Sequence, residues 1–207
     1  MSMDKKRLSK LLYYFSTFDG GVYYSGKNAR YVMNMRSENM DYIDWVSDTL
    51  REITSVNKHE VIQRGSRQPL TSIASKTHPM LTKIRERIYV ENKKVIDPHL
   101  LAMFDAEALA IIFMADGGTG VDKRWKQPYA SINLHTKGFS YYDNLALSKT
   151  MYDKTGIRST VNKHGKYFYI RIKSKDIQLF IDTVRPYIKP SFYYKLGRLA
   201  PCKGVVI

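Results

Sequence analysis

One short pattern occurs twice in this chain and constrains everything else. LLYYFSTFDGG covers residues 11–21, and AEALAIIFMADGG covers residues 106–118. In each, an apolar run of helical character ends in an aspartate and then breaks on a glycine pair: Asp19 before Gly20 and Gly21, Asp116 before Gly117 and Gly118. Glycine after the last helical residue is a common stop. A stop that repeats with the same acid in front of it implies a duplicated unit. The spacing from Asp19 to Asp116 is 97 residues.

The segments around each copy support the duplication. A helix is predicted over 6–18 from the spacing of Leu8, Leu11, Leu12, Phe15 and Phe18. Strands follow at 22–25 and 31–36 around Gly26, the second alternating Tyr31, Met33 and Met35 against Val32, Asn34 and Arg36. Asn39 caps a helix over 40–54, with Tyr42, Ile43, Trp45, Val46 and Leu50 in its apolar stripe. A hairpin turned at Arg64, Gly65 and Ser66 comes next, and a helix over 80–90 follows His78 and Pro79. The order then restarts. Asp105 caps a helix to Ala115, residues 121–127 read as a polar connection, and 129–136 as a strand. A helix over 141–154, a hairpin of 157–163 with 166–172, and a helix over 176–187 complete the second copy. The fold class is therefore α+β: two pseudo-symmetric αββαββα repeats, at 1–92 and 104–196, joined by a linker at 93–103 and followed by a tail at 197–207.

Charge narrows the class of partner. Lys and Arg number 34 against 19 Asp and Glu, a net charge of +15. Residues 1–100 hold 17 Lys and Arg against 11 Asp and Glu, and residues 101–207 hold 17 against 8, so both halves are basic. A field of this sign favours a polyanion, and a polyanion would touch both repeats. No apolar run approaches the ~20 residues that span a bilayer, so no membrane partner is expected. The single cysteine, Cys202, excludes an internal disulfide and a cysteine-based zinc site. The five histidines lack metal-ligand spacing, which removes a histidine-based nuclease.

Two equivalent helices related by a pseudo-two-fold would bring Asp19 and Asp116 together. Their oxygens are hard ligands suited to Mg²⁺ or Mn²⁺, and the helix-end carbonyls of Phe18 and Ala115 also favour a cation. A metal between carboxylates below a basic surface is the arrangement of a metal-dependent phosphodiesterase.

These residues resemble the two signature helices of the LAGLIDADG homing endonucleases in their single-chain, two-repeat form. The second repeat carries the likeness furthest. It includes the strand-to-helix junction Thr136, Phe139, Ser140 and the closing Pro-Ser-x-x-Tyr-Lys-Leu of Pro190, Ser191, Tyr194, Lys195 and Leu196. The resemblance spans 8–196. Ala108, Ala110 and Ala115 are small, as where such helices cross; the first helix carries the bulkier Tyr13, Tyr14 and Phe18.

The resemblance implies repeats packed through paired LAGLIDADG-type helices, with antiparallel sheets forming a DNA-binding saddle. It implies that Asp19 and Asp116 are the catalytic, metal-binding acids. Lys94 and Lys195 would be basic residues beside the scissile phosphates, polarising the water or stabilising developing charge. The implied activity is site-specific double-strand cleavage of DNA at a long, non-palindromic site, leaving short 3′ overhangs, by a monomer. Side chains expected to face double-stranded DNA from the polar strand faces are Lys27, Arg30, Asn34, Arg36, Lys58, Gln63, Arg64 and Arg67 in the first repeat. In the second they are Lys123, Arg124, Lys126, Asn133, His135, Arg158, Asn162, Lys163, Lys166 and Arg171. The alternatives are an intron RNA maturase on the same fold and a catalytically inactive DNA-binding regulator. The expected location is intracellular, wherever the target DNA lies, whether a bacterial or phage-infected cytoplasm or an organelle matrix, and not secreted.

Overall fold

The structure, a computed structural model, describes residues 3–61, 69–122, 129–199 and 205–207. Gln63, Arg64, Arg67, Lys123, Arg124, Lys126 and Cys202 lie outside the described residues. The chain divides into two compact units, Met1–Lys94 and Val95–Ile207. Each is an α+β layer of helices on one face of a four-stranded antiparallel sheet.

In the first unit α1 (Lys5–Tyr14) opens on Asp4, whose carboxylate accepts from the Arg7 N–H at 3.0 Å. The helix does not simply stop. It widens into one π-helical turn, Phe15–Asp19, closed by Gly20 N–H to the Phe15 carbonyl at 2.9 Å. β1 (Gly21–Ser25) and β2 (Asn28–Arg36) then form a hairpin, turned by Gly26 at φ 68°. α2 (Met40–Arg51), β3 (Val56–Val61), β4 (Leu70–Ser75) and α3 (Pro79–Ile88) follow. The sheet order is β1-β2-β4-β3. The alternation in β2 is as expected: Ala29, Tyr31 and Met33 are buried while Arg30, Asn34 and Arg36 are exposed. The helices α2 and α3 cover the face that carries Tyr31, Met33 and Ile73. Phe15 meets Tyr42 and Trp45 of α2 edge-on, with ring centroids 5.9 and 5.0 Å away. Such aromatic pairs add about 0.5–1.5 kcal/mol each beyond buried area.

The span 93–103 is shared between the units. β5 (Tyr89–Val90) and β6 (Lys93–Lys94) close the first unit as a small hairpin, with Glu91 and Asn92 at φ 48° and 61°. α4 (Pro98–Ala102) opens the second.

The second unit places α5 (Ala106–Asp116) under an Asp105 cap that accepts from Ala108 N–H at 2.9 Å. Glu107 through Met114 are all buried. A helix apolar on every side is a buried helix. Gly117 and Gly118 are not a mere stop: they begin β7 (Gly117–Asp122), a strand whose last two residues fall in the segment expected to be a polar connection. β8 (Tyr129–Leu134), α6 (Tyr141–Thr155), β9 (Ser159–His164), β10 (Tyr167–Ile172), α7 (Ile177–Val184) and α8 (Tyr193–Gly197) complete it. The sheet order, β7-β8-β10-β9, repeats that of the first unit. α6 starts on a full capping box between Ser140 and Asp143 and ends on Gly156 at φ 74°, the left-handed position that glycine fills without strain.

Arg158 and Asp176 lock the entry to β9 onto the start of α7. Asp176 accepts from the Arg158 backbone N–H at 2.9 Å, from Nε at 2.8 Å and from Nη2 at 2.7 Å. These bonds, against the opposing effect of burial, hold the Asp176 carboxyl at about 2 instead of the ordinary 3.8. A carboxyl depressed in the folded state stabilises above its unfolded pKa and loses that contribution as pH falls through the folded value. The urea midpoint should therefore fall between about pH 4 and pH 2, and Asp176→Ala should flatten that slope. At neutral pH the same variant should cost roughly 1–3 kcal/mol, because the Arg158 amide loses its acceptor.

Candidate active site and nucleic-acid face

The two aspartates close their helices in half-buried positions. Asp19 Oδ2 accepts a hydrogen bond from the Tyr42 hydroxyl of α2. Tyr31, from the covered face of β2, presses its ring against Gly20: a Cβ there would lie 2.3 Å from Tyr31 Cζ. The Tyr31 hydroxyl is buried and has no hydrogen-bond partner among the described residues. Burial, and next the negative charge of Asp19, push its pKa well above the ordinary phenol value. In the second unit the Asp116 carbonyl accepts from His135 N–H at 2.7 Å. Gly117 admits no side chain, since a Cβ would come within 2.3 Å of the Phe113 carbonyl oxygen.

A lysine sits at each helix end. Lys94, delivered by the β5–β6 hairpin, donates from Nζ to the Thr17 carbonyl at 2.9 Å and the Gly20 carbonyl at 2.5 Å. Lys195, on α8, donates to the carbonyls of Phe113 at 3.0 Å, Met114 at 2.7 Å and Gly117 at 2.7 Å. Those three acceptors match the three N–H groups of an ammonium. Lys195 is only 8% exposed. A helix C-terminus carries roughly half a negative charge on unpaired carbonyls, so a cation there is stabilised by up to about 2 kcal/mol when partly buried. The resemblance implies both lysines beside phosphates, and the carbonyls expected to favour a cation were those of Phe18 and Ala115. In the structure the lysines bind carbonyls of the turns that carry Asp19 and Asp116.

The register sorts the other predicted residues by face. On the uncovered face of the first sheet, Arg30, Asn34 and Arg36 alternate along β2. Tyr23 lies across from Arg30, Ser72 across from Asn34, and His59 across from Ser72. Lys27 is in the exposed β1–β2 turn. Lys58 pairs across from Ile73 and is therefore on the helix side, with Nζ 2.7 Å from Asp44 of α2. On the uncovered face of the second sheet, Asn133, Arg171 and Thr160 align across three strands, and Asn162 pairs with Tyr169. His135 continues the Asn133 side, its ring centroid 6.4 Å from Tyr169. Burial first, then the positive charges of Lys137 and Lys195, lower the pKa of His135, which favours its neutral form. Lys166 lies in the turn beside the Tyr167 ring. Lys163 pairs with Phe168, whose ring packs on Tyr141 of α6, so Lys163 is on the helix side. Arg158 is on that side too, bound to Asp176. A residue-by-residue reading of polarity could not place these three, because facing is set by cross-strand register. Tyr23 and His59, on the open face, and Tyr31, beside Gly20, are placed by the same register, while Tyr42 is brought to Asp19 by the packing of α2; none of the four was among the expected site residues.

The model of the LAGLIDADG DNA endonuclease family matches residues 19–180, more than half of the chain. The chain belongs to that family. A probable intron-encoded DNA endonuclease of Mycosarcoma maydis is 30% identical over 109 residues, covering 53% of this chain and 76% of the relative. A cytochrome b mRNA maturase, bI2, of Saccharomyces cerevisiae is 27% identical over 190 residues, covering 83% of this chain but 42% of the relative's length. Among solved structures, the homing endonuclease I-WcaI bound to its DNA recognition sequence superimposes with a TM-score of 0.76 at 23% identity, over 92% of this chain and 86% of that one. The LAGLIDADG fold is thus established for this chain.

Among the described residues no group of three or more His, Cys, Asp or Glu side chains is placed to hold a metal. The donors at the helix ends are single carboxylates, one per unit. They fit Mg²⁺ or Mn²⁺ rather than zinc, since Mg²⁺ keeps several waters and takes one or two carboxylates. Also among the described residues, no helix is long and apolar enough to cross a membrane.

The lysine caps make a stability prediction. Lys195→Met should lower the free energy of unfolding by roughly 1–3 kcal/mol in urea titrations, the cost of leaving buried acceptors unpaired. Lys94→Met, which releases two carbonyls instead of three, should cost less.

Proposed function

We propose that this chain is a monomeric, two-repeat, site-specific homing endonuclease that hydrolyses both strands of a long, non-palindromic DNA site with Mg²⁺ or Mn²⁺, leaving short 3′ overhangs. The observation that carries the proposal is the matched pair of helix ends, each presenting one aspartate and braced by one lysine, in a chain of the LAGLIDADG DNA endonuclease family. Asp19 and Asp116 are the residues that would hold the divalent ion. Such an ion supplies a more acidic bound water and charge stabilisation at the leaving oxygen. Lys94 and Lys195 keep the turns beneath the two carboxylates in place. Since their ammonium groups already donate to carbonyls, their contribution to cleavage runs chiefly through the pose of the acids.

Arg30, Asn34 and Arg36 on one sheet and Asn133, His135, Asn162 and Arg171 on the other are the residues assigned to the DNA. Arginine suits guanine edges and asparagine adenine edges, while contacts to phosphate orient without specifying. Lys27 and Lys166, at strand turns, suit phosphate. Lys58, Lys163 and Arg158 are on the helix side of their sheets and are assigned no base contact. A second reading, an intron RNA maturase, is favoured by one observation: the similarity to the yeast bI2 maturase runs over 83% of the chain.

Asp19→Asn and Asp116→Asn test the nuclease reading. Each should bind the cognate duplex within about threefold of wild type in Ca²⁺, while cleavage falls by about 10³-fold, several kcal/mol of transition-state stabilisation. Wild-type cutting by either variant would remove that aspartate from the mechanism. Splicing of the host intron by wild-type protein that leaves the intron-less allele uncut would give the maturase reading precedence.

A further inference from the structure

The hairpin that carries Lys94 is braced from outside by an arginine. Arg85 lies half-buried in the last turn of α3. Its Nη1 donates to the Val22 carbonyl at 2.5 Å and its Nη2 to Asn92 Oδ1 at 3.2 Å. Val22 belongs to β1, the edge strand that leaves the Asp19 turn, and Asn92 to the turn between β5 and β6. The guanidinium also lies over two rings, 4.9 Å from the centroid of Tyr24 and 4.4 Å from that of Tyr89.

These contacts bear on Lys94. Tyr89 is its cross-strand partner in the hairpin. Burial raises the pKa of the Tyr89 phenol, and a hydrogen bond from the Val22 N–H works against that rise, so the hairpin meets β1 through this hydroxyl as well. Asn92 stands at φ 61°, in the left-handed region where asparagine is enriched. Its side chain thus suits the turn and also gives Arg85 an acceptor. A planar guanidinium can reach two oxygens while stacking on aromatic faces, whereas an ammonium is a compact point charge. A two-stranded hairpin is marginal by itself. Where Lys94 Nζ rests against the Thr17 and Gly20 carbonyls therefore depends on what anchors the hairpin.

We infer that Arg85 is a positioning residue for Lys94: it locks the β5–β6 hairpin onto β1 and so keeps the ammonium on the carbonyls of the turn that carries Asp19. Its bearing on cleavage rests on the nuclease reading above, while the brace itself is testable without it. Lys195 reaches its own helix end from α8, so loss of Arg85 leaves Lys195 in place.

The ammonium itself is the readout. Protein labelled with nitrogen-15 at lysine Nζ is followed in the cold by heteronuclear NMR, in which an ammonium held on carbonyls exchanges slowly with water and exposed ones broaden away. Wild type should show retained Lys94 and Lys195 signals, assigned by their loss in Lys94→Met and Lys195→Met. Arg85→Met should speed exchange at Lys94 by about tenfold and leave the Lys195 signal unchanged, a selectivity that general loss of stability does not give. Arg85→Lys keeps the charge but not the fork, and should not restore the Lys94 signal. Asn92→Gly keeps the positive φ, removes one acceptor of the guanidinium and should also speed exchange at Lys94, so the test stands even if Arg85→Met does not fold. On a cognate duplex with Mg²⁺, Arg85→Met should lower kcat by about tenfold with KM within about twofold, and should add less than about twofold in the Lys94→Met background. A Lys94 signal missing from wild type would overturn the inference. So would unchanged Lys94 exchange in folded Arg85→Met or in Asn92→Gly, restoration by Arg85→Lys, or fully additive losses of kcat from Arg85→Met and Lys94→Met. If wild type cuts no DNA while the exchange pattern is as described, the nuclease reading falls and the brace stands.

Discussion

A helix that ends in the protein interior leaves carbonyls facing inward, and the architecture of both units follows from how those carbonyls are paired. Here one of the donors is a lysine each time, but it arrives on different scaffolding. Lys94 comes from a two-residue strand whose turn holds Glu91 and Asn92 at positive φ. Lys195 comes from a helical turn near the C-terminus, itself tied down where Thr119 Oγ1 donates to the Lys195 carbonyl at 2.6 Å. Two unlike elements thus deliver the same ammonium to the same part of a repeat. They let a polar helix end be buried a few atoms from a carboxylate.

The sheets supply the other half of the arrangement. Period-two alternation sends Tyr31, Met33 and Ile73 beneath the helices and Arg30, Asn34 and Arg36 to the open side. The second sheet repeats this with Ile132, Leu134 and Ile170 against Asn133 and Arg171. Positive charge is therefore not spread evenly. Part of it is neutralised on the helix side, as in Lys58 with Asp44 and Arg158 with Asp176. On the open face Arg36 forms an ion pair, 3.5 Å from Glu38, but both partners are exposed and such a contact contributes little.

Much of this was legible beforehand because it depends on local pattern. The spacing of Leu8, Leu11, Leu12 and Phe15, the Asp105 cap, and the alternation of β2 each declare an element within a few residues; Asn39 precedes α2 as expected, but its side chain makes no capping hydrogen bond among the described residues. β7 was not legible. Gly117, Gly118, Thr119 and Gly120 have no apolar alternation, and only pairing with β8 makes them a strand. Nor were the duties of the lysines legible. Lys94 reaches a carbonyl 77 residues away and Lys195 one 81 residues away, and sequence spacing carries no trace of such contacts. The tyrosines about Asp19 were visible only as apolar positions, since a buried ring is evident from periodicity while the destination of its hydroxyl is not.

The π-helical turn at Phe15–Asp19 gives the first repeat one more residue per turn than ordinary helix would. An α-helix advances about 100° per residue, so a single residue gained or lost in that turn re-aims everything after it. α5 reaches Asp116 without such a turn. The two acids therefore close helix ends of different winding, despite matching letters in the sequence. Exchanging one signature helix for the other would transplant the motif intact and still change the winding of the turn that carries its carboxylate.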